Sequence, residues 1–128
     1  MLGRVLLVTF LVVSACGGGK DSAAIDAPVG VDAAAATVVE VIPCTGESAS
    51  VTSSNSDFSK YTPMATTITV GQIVKFTMAS SHNVAPTGVS DPGLNVGFGA
   101  TKCLRFTQAG TFNFKCTPHN FKGSITVN

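Results

Sequence analysis

Cys116-Thr117-Pro118-His119, close to the C-terminal end of the chain, and His82 upstream of it are the residues best suited to chemistry. One thiolate and two imidazoles make the trigonal donor set of electron-transfer copper sites, which usually add a weak, long axial methionine. A Cys-x-x-His spacing lets one short loop present two of the ligands, and Pro118 stiffens that loop. The chain has only two histidines, and both fall in this group. No methionine follows Met78, so the usual axial donor is missing. Zinc suits the set less well, because a structural zinc site takes four ligands and only three are evident.

Such a donor set needs a rigid frame, and the flanking residues read as strands. Val38 to Ile42 form a first strand, with a possible second around Ala49 to Ser53. Ile68-Thr69-Val70, a turn at Gly71-Gln72, and Ile73 to Met78 make a strand–turn–strand unit with partial period-two alternation. Ser80 to Gly99, rich in Pro and Gly, reads as mostly loop. Leu104 to Thr107 and Thr111 to Cys116 alternate cleanly around an Ala109-Gly110 turn, and Ser124 to Val127 close the domain. Short strands, frequent turns and no helical period predict an all-β fold, an antiparallel β-sandwich. Phe76, Phe106, Phe112 and Phe114 read as its core, as do Met64 and Met78. Phe112 and Phe114 share one strand face, and Cys116 continues it, so the thiol enters from the core side.

Composition agrees with one compact domain. The chain has 128 residues, 45% hydrophobic and 12% charged, which supports an apolar core rather than disorder. The formal net charge is +1. Arg4 lies in a segment expected to be removed, which leaves seven basic against seven acidic residues. With no basic run, a nucleic-acid partner is excluded.

Met1 to Cys16 reads as a targeting segment: Arg4 supplies the positive start, and Val5 to Val13 are apolar apart from Thr9. That stretch is too short to span a bilayer. Val13-Ser14-Ala15-Cys16 resembles the bacterial lipobox, in which the cysteine is lipidated; an ordinary signal peptide with an incidental cysteine is the alternative. The lipobox reading places the protein in the bacterial cell envelope, periplasmic or at the cell surface, held to a membrane through its N-terminal lipid. Residues 17–37, rich in Gly, Ala and Asp, read as a flexible tether with a root-mean-square span of roughly 25 Å. The folded domain is expected over residues 38–128.

Ile68-Thr69-Val70-Gly71, His82-Asn83-Val84, Ala109-Gly110-Thr111-Phe112 and Phe114-Lys115-Cys116-Thr117-Pro118-His119 together resemble the cupredoxins, especially the plastocyanin and amicyanin branch. The resemblance covers residues 38–128 and is strongest from Ile68 onward. It implies a Greek-key sandwich holding one copper ion per chain on His82, Cys116 and His119. It gives Asn83 the task of tying the two ligand loops together, with Thr117 and Pro118 also supporting the ligands. His119 becomes the solvent-edge ligand through which an electron passes, inside a weakly polar docking rim of Pro118, Asn120 and Phe121.

The departure lies at the axial position. Against amicyanin-like loops the segment His119-Asn120-Phe121-Lys122-Gly123 looks one residue short, with the methionine deleted, or else Lys122 takes its place. Plastocyanin-like spacing points instead to Ser124. An apolar cover such as Phe121 would leave three ligands and favour Cu(I); entering water would make the site less blue.

With Cys16 lipidated and Cys116 on the metal, Cys44 and Cys103 are left as the favoured disulfide. Hairpin counting offers a rival pair, Cys103 and Cys116, which lie equally far from the Ala109-Gly110 turn. The resemblance weakens that rival by placing the two strands in different sheets.

The function expected is electron transfer between redox proteins of the envelope. A copper storage or trafficking module, or a metal-free structural lipoprotein, is the alternative. Enzymatic chemistry on a small-molecule substrate is not expected unless a partner supplies another site, because two histidines cannot build further copper clusters and no Ser–His–acid triad is evident.

Overall fold

The computed structural model describes residues 37–128, and these form an all-β sandwich. The expected signal segment, Cys16 and the tether as far as residue 36 lie outside the described residues. Nine strands follow in order: β1 (Val39–Ile42), β2 (Ala49–Ser54), β3 (Asp57–Thr62), β4 (Ala65–Ile68), β5 (Ile73–Thr77), β6 (Ala85–Pro86), β7 (Thr101–Phe106), β8 (Gly110–Lys115) and β9 (Lys122–Val127). One sheet runs β1-β7-β5-β2-β3 and the other β4-β9-β8-β6.

The pairing differs from a purely antiparallel sandwich in two places. β2 runs parallel to β5, and β4 parallel to β9; the remaining pairs are antiparallel. Parallel neighbours need a crossover from sheet to sheet rather than a hairpin, so no turn signal announces them.

Alternation decides which side chains fill the interior. Val74 and Phe76 of β5, Leu104 and Phe106 of β7, Phe112 and Phe114 of β8, and Ile125 and Val127 of β9 all lie in the core. Met78 is buried with them, whereas Met64 is 52% exposed between β3 and β4, contrary to its expected place in the core. β4 stops at Ile68, and the turn Thr69–Gln72 closes with the Gln72 N–H donating to the Thr69 carbonyl at 3.1 Å. Gly71 at its third position has φ of 86°, the left-handed value that a type II turn requires there.

Cys44, just after β1, is disulfide-bonded to Cys103 of β7. Ile42 is the register partner of Cys103, so the bridge reinforces an existing strand pair. The Cys103–Cys116 alternative fails because β7 belongs to the first sheet and β8 to the second. Cys116 remains a free, buried thiol.

Candidate metal centre

Three segments converge at one end of the sandwich. His82 follows β5, and its N–H donates to the Ala79 carbonyl at 3.0 Å. Two residues later the Val84–Val96 bridge pins the chain through a reciprocal pair of backbone hydrogen bonds. Cys116 directly follows β8, whose alternation sends its side chain inward after Phe112 and Phe114. The turn 117–119 then returns: the Asn120 N–H donates to the Cys116 carbonyl, and the Cys116 N–H donates to the Phe121 carbonyl. Asn120 takes the left-handed φ of 58° that this tight return needs, a conformation asparagine tolerates better than most residues.

The donor atoms meet. Cys116 Sγ lies 3.6 Å from His82 Nδ1 and 3.5 Å from His119 Nδ1. The three ligand atoms lie within 4.8 Å of one another. His82 and Cys116 are fully buried, and His119 reaches the surface. His82 Nε2 lies 3.0 Å from the Ser54 carbonyl, a pure acceptor, so Nε2 carries the hydrogen and donates it. That tautomer leaves an unprotonated Nδ1 facing the thiol, as a metal ligand must. A thiolate and two imidazole nitrogens so directed form a soft, convergent set that fits copper.

Asn83 joins the two ligand loops. Its Oδ1 accepts from the Thr117 N–H at 2.9 Å and from the Thr117 hydroxyl at 3.1 Å. Its backbone carbonyl accepts the Tyr61 hydroxyl at 2.6 Å. Tyr61 is buried against Phe114 and Phe121, and that burial pushes its phenol well above the usual range.

The structure separates the candidates for the axial region. Phe121 is buried, with its ring 5.2 Å from that of His82 and stacked on that of His119 at 6.1 Å. Lys122 is exposed, opposite Lys115 in the β8–β9 ladder, and lines an outer groove with Thr87 and Ser90. It is not at the donor cluster. Ser124 lies further along β9, opposite Asn113. The Met78 sulfur accepts the Ser53 hydroxyl at 3.7 Å. Among the described residues, the one cluster of His, Cys, Asp and Glu donors is this set of three.

Sequence reasoning missed two contributors. The Ser54 carbonyl stands where the β2–β3 register breaks, between Thr52 and Ser54. Phe58 of β3 places its half-exposed ring 5.5 Å from that of His82 and 5.0 Å from that of His119. The only signal for Phe58 was a lone aromatic between polar neighbours. Phe58 also replaces Phe121 on the surface beside His119, since Phe121 is turned inward.

A family model described as copper binding proteins, plastocyanin/azurin family, matches residues 47–128. No curated protein sequence gives a significant match. Among solved structures, a reduced tryptophan-to-tyrosine variant of amicyanin is similar at 24% identity with a TM-score of 0.57, over 71% of this chain and 99% of that one. Amicyanin from Paracoccus versutus is similar at 21% identity and a TM-score of 0.55, over 72% of this chain and 99% of its own.

Proposed function

Since the chain belongs to the plastocyanin/azurin family of copper-binding proteins, we propose that it is a one-electron carrier of the bacterial cell envelope, holding one copper ion on His82, Cys116 and His119. The observation that carries this reading is the convergence of one buried thiol and two Nδ1 atoms, with the His82 tautomer set by Ser54. Bound copper would supply a Cu(II)/Cu(I) couple. The protein's own part is to hold three donors in place, so that little rearranges as charge changes. Phe121 packs against both imidazoles in a loop that carries no methionine, and such an apolar wall would favour the lower-charged Cu(I).

His119, at the surface, is the exit for the electron, among Thr117, Pro118, Asn120 and Phe58. This weakly polar rim suits the small, transient contacts of redox partners. Lipidation of Cys16 would keep the carrier at a membrane, within reach of other envelope redox proteins. A thiolate with two imidazoles also suits Cu(I) custody, so copper storage or delivery is the second reading.

The test is to load the chain with Cu(II), dialyse, and record its visible spectrum and redox behaviour. An intense thiolate-to-copper band at one copper per chain, lost in Cys116→Ser, with a reversible potential, supports the carrier. Copper retained without reversible electron exchange supports storage. A colourless, copper-free protein overturns both and leaves a structural domain.

A further inference from the structure

Phe58 stands out among the polar residues beside it on β3. Its neighbours Asp57, Ser59 and Lys60 face water or each other, with Ser59 donating to the Asp57 carboxylate through both its N–H and its hydroxyl. A large apolar ring left 53% exposed at such a place gains little from burial. What the other half of the ring touches is the imidazole pair: the Phe58, His82 and His119 rings form a triangle with centroid distances of 5.5, 5.0 and 4.8 Å. Phe121 approaches the same pair from the buried side. His82 has no exposed surface although the half-exposed Phe58 ring packs on it, so Phe58 is part of what seals it. The register break in β2–β3 is the kind of irregularity that re-aims a side chain beside a functional site.

We propose that Phe58 is the outer gate of the metal centre: with Phe121 as the inner wall, it keeps water and small anions off a metal that has only three protein donors. The inference rests on the copper reading given above, but its consequence for the Cys116 thiol does not. A metal held by three protein donors would have open coordination positions, and the Phe58 ring against His82 and His119 would stand in the way of azide, chloride or water. If the gate stands open in only about a tenth of molecules, apparent binding weakens about tenfold, and removing the ring restores that factor.

The full chain is compared with Phe58→Ala and with the conservative Phe58→Leu, each also carrying Cys16→Ser so that Cys116 is the one free thiol. In the metal-free proteins, the rate at which Cys116 reacts with an aromatic disulfide reagent should rise about tenfold in Phe58→Ala and stay near the parent rate in Phe58→Leu. In the Cu(II) forms, azide should add a new charge-transfer band to Phe58→Ala at concentrations that leave the parent and Phe58→Leu spectra unchanged. Equal thiol rates in all three proteins overturn the gate. So does an azide response already complete in the parent. If the parent binds no copper, the copper reading fails, and the thiol rates still decide the gate.

Discussion

Asn83→Ala is the most direct test of how the two ligand loops are held together. The substitution removes one acceptor atom that serves two donors, the Thr117 N–H at 2.9 Å and the Thr117 hydroxyl at 3.1 Å. It leaves in place the Asn83 carbonyl that accepts from Tyr61. A neutral hydrogen bond contributes a net of about 0.5–1.5 kcal/mol. Thr117 is exposed, so water can satisfy its freed donors, and the low end of that range applies to each bond. The metal-free protein should therefore lose about 1 kcal/mol, or about 4–8 °C in Tm for a domain of this size. Copper should suffer more than the fold does. Partners that orient metal ligands typically carry about 10–100-fold in affinity, because the loops must then be ordered by the metal itself.

Urea unfolding of the metal-free form and competition against a Cu(I) chelator give the two numbers. Thr117→Val supplies the other edge of a double-mutant cycle, since it removes the hydroxyl bond and keeps the backbone one. With Asn83 already replaced, the valine should cost nothing further, which makes the coupling energy about 0.5 kcal/mol. An unchanged copper affinity in Asn83→Ala, or strictly additive costs, would refute the idea that this side chain is the tie.

Four further outcomes follow from the geometry. Phe121→Met should shift the visible band and lower the reduction potential by offering a thioether, whereas Lys122→Met should change neither, because Lys122 lies on the outer face. Gly123→Ala should destabilise the fold by about 1–3 kcal/mol in chemical denaturation, since a Cβ there would lie 2.5 Å from the Phe114 ring and 3.0 Å from Tyr61. Replacing Cys44 and Cys103 together should cost about 4 kcal/mol on the chain-entropy estimate for a sequence separation of 59, read again by urea unfolding. Burial holds the Tyr61 proton more tightly in the folded state than in the unfolded one, so stability should be intact below about pH 10 and fall above it. Tyr61→Phe should remove that alkaline loss while weakening the protein at neutral pH through the lost bond to Asn83.

The donor set was legible because its chemistry is carried by rare residue types at short spacing. Two histidines and a Cys-x-x-His loop leave few other ways to assemble a soft site. The inner strands were legible too, since β5, β7 and β8 are paired on both sides and carry the apolar alternation that marks a buried face. β3 and β4 were not, and both are sheet edges. In β3 only Tyr61 is fully buried and in β4 only Ile68, so neither writes a period into the sequence. Phe58 was hidden for a related reason: its direction depends on a register break between β2 and β3, which is a property of the pair rather than of either strand. Met64 was misread because a methionine near apolar strands carries no local sign of the exposed turn it occupies.

Tyr61, on one of those unreadable edge strands, joins the core to both ligand loops. Its ring packs on Phe114, two residues before Cys116, and edge-on against Phe121, which stacks on His119. Its hydroxyl reaches the carbonyl of Asn83, next to His82. Gly123 leaves room for this arrangement, because any side chain there would strike Phe114 and Tyr61. The loops are thus positioned by an aromatic cluster, and the three donor atoms lie within 4.8 Å of one another. A centre assembled by its metal would show ordered loops only in the loaded state, with loading coupled to folding. A centre assembled by its core should load without change in secondary structure, and hydrogen exchange at residues 116–121 should be slow in the metal-free protein as well. Fast exchange there, suppressed only by copper, would mean that the metal rather than Tyr61 builds the site.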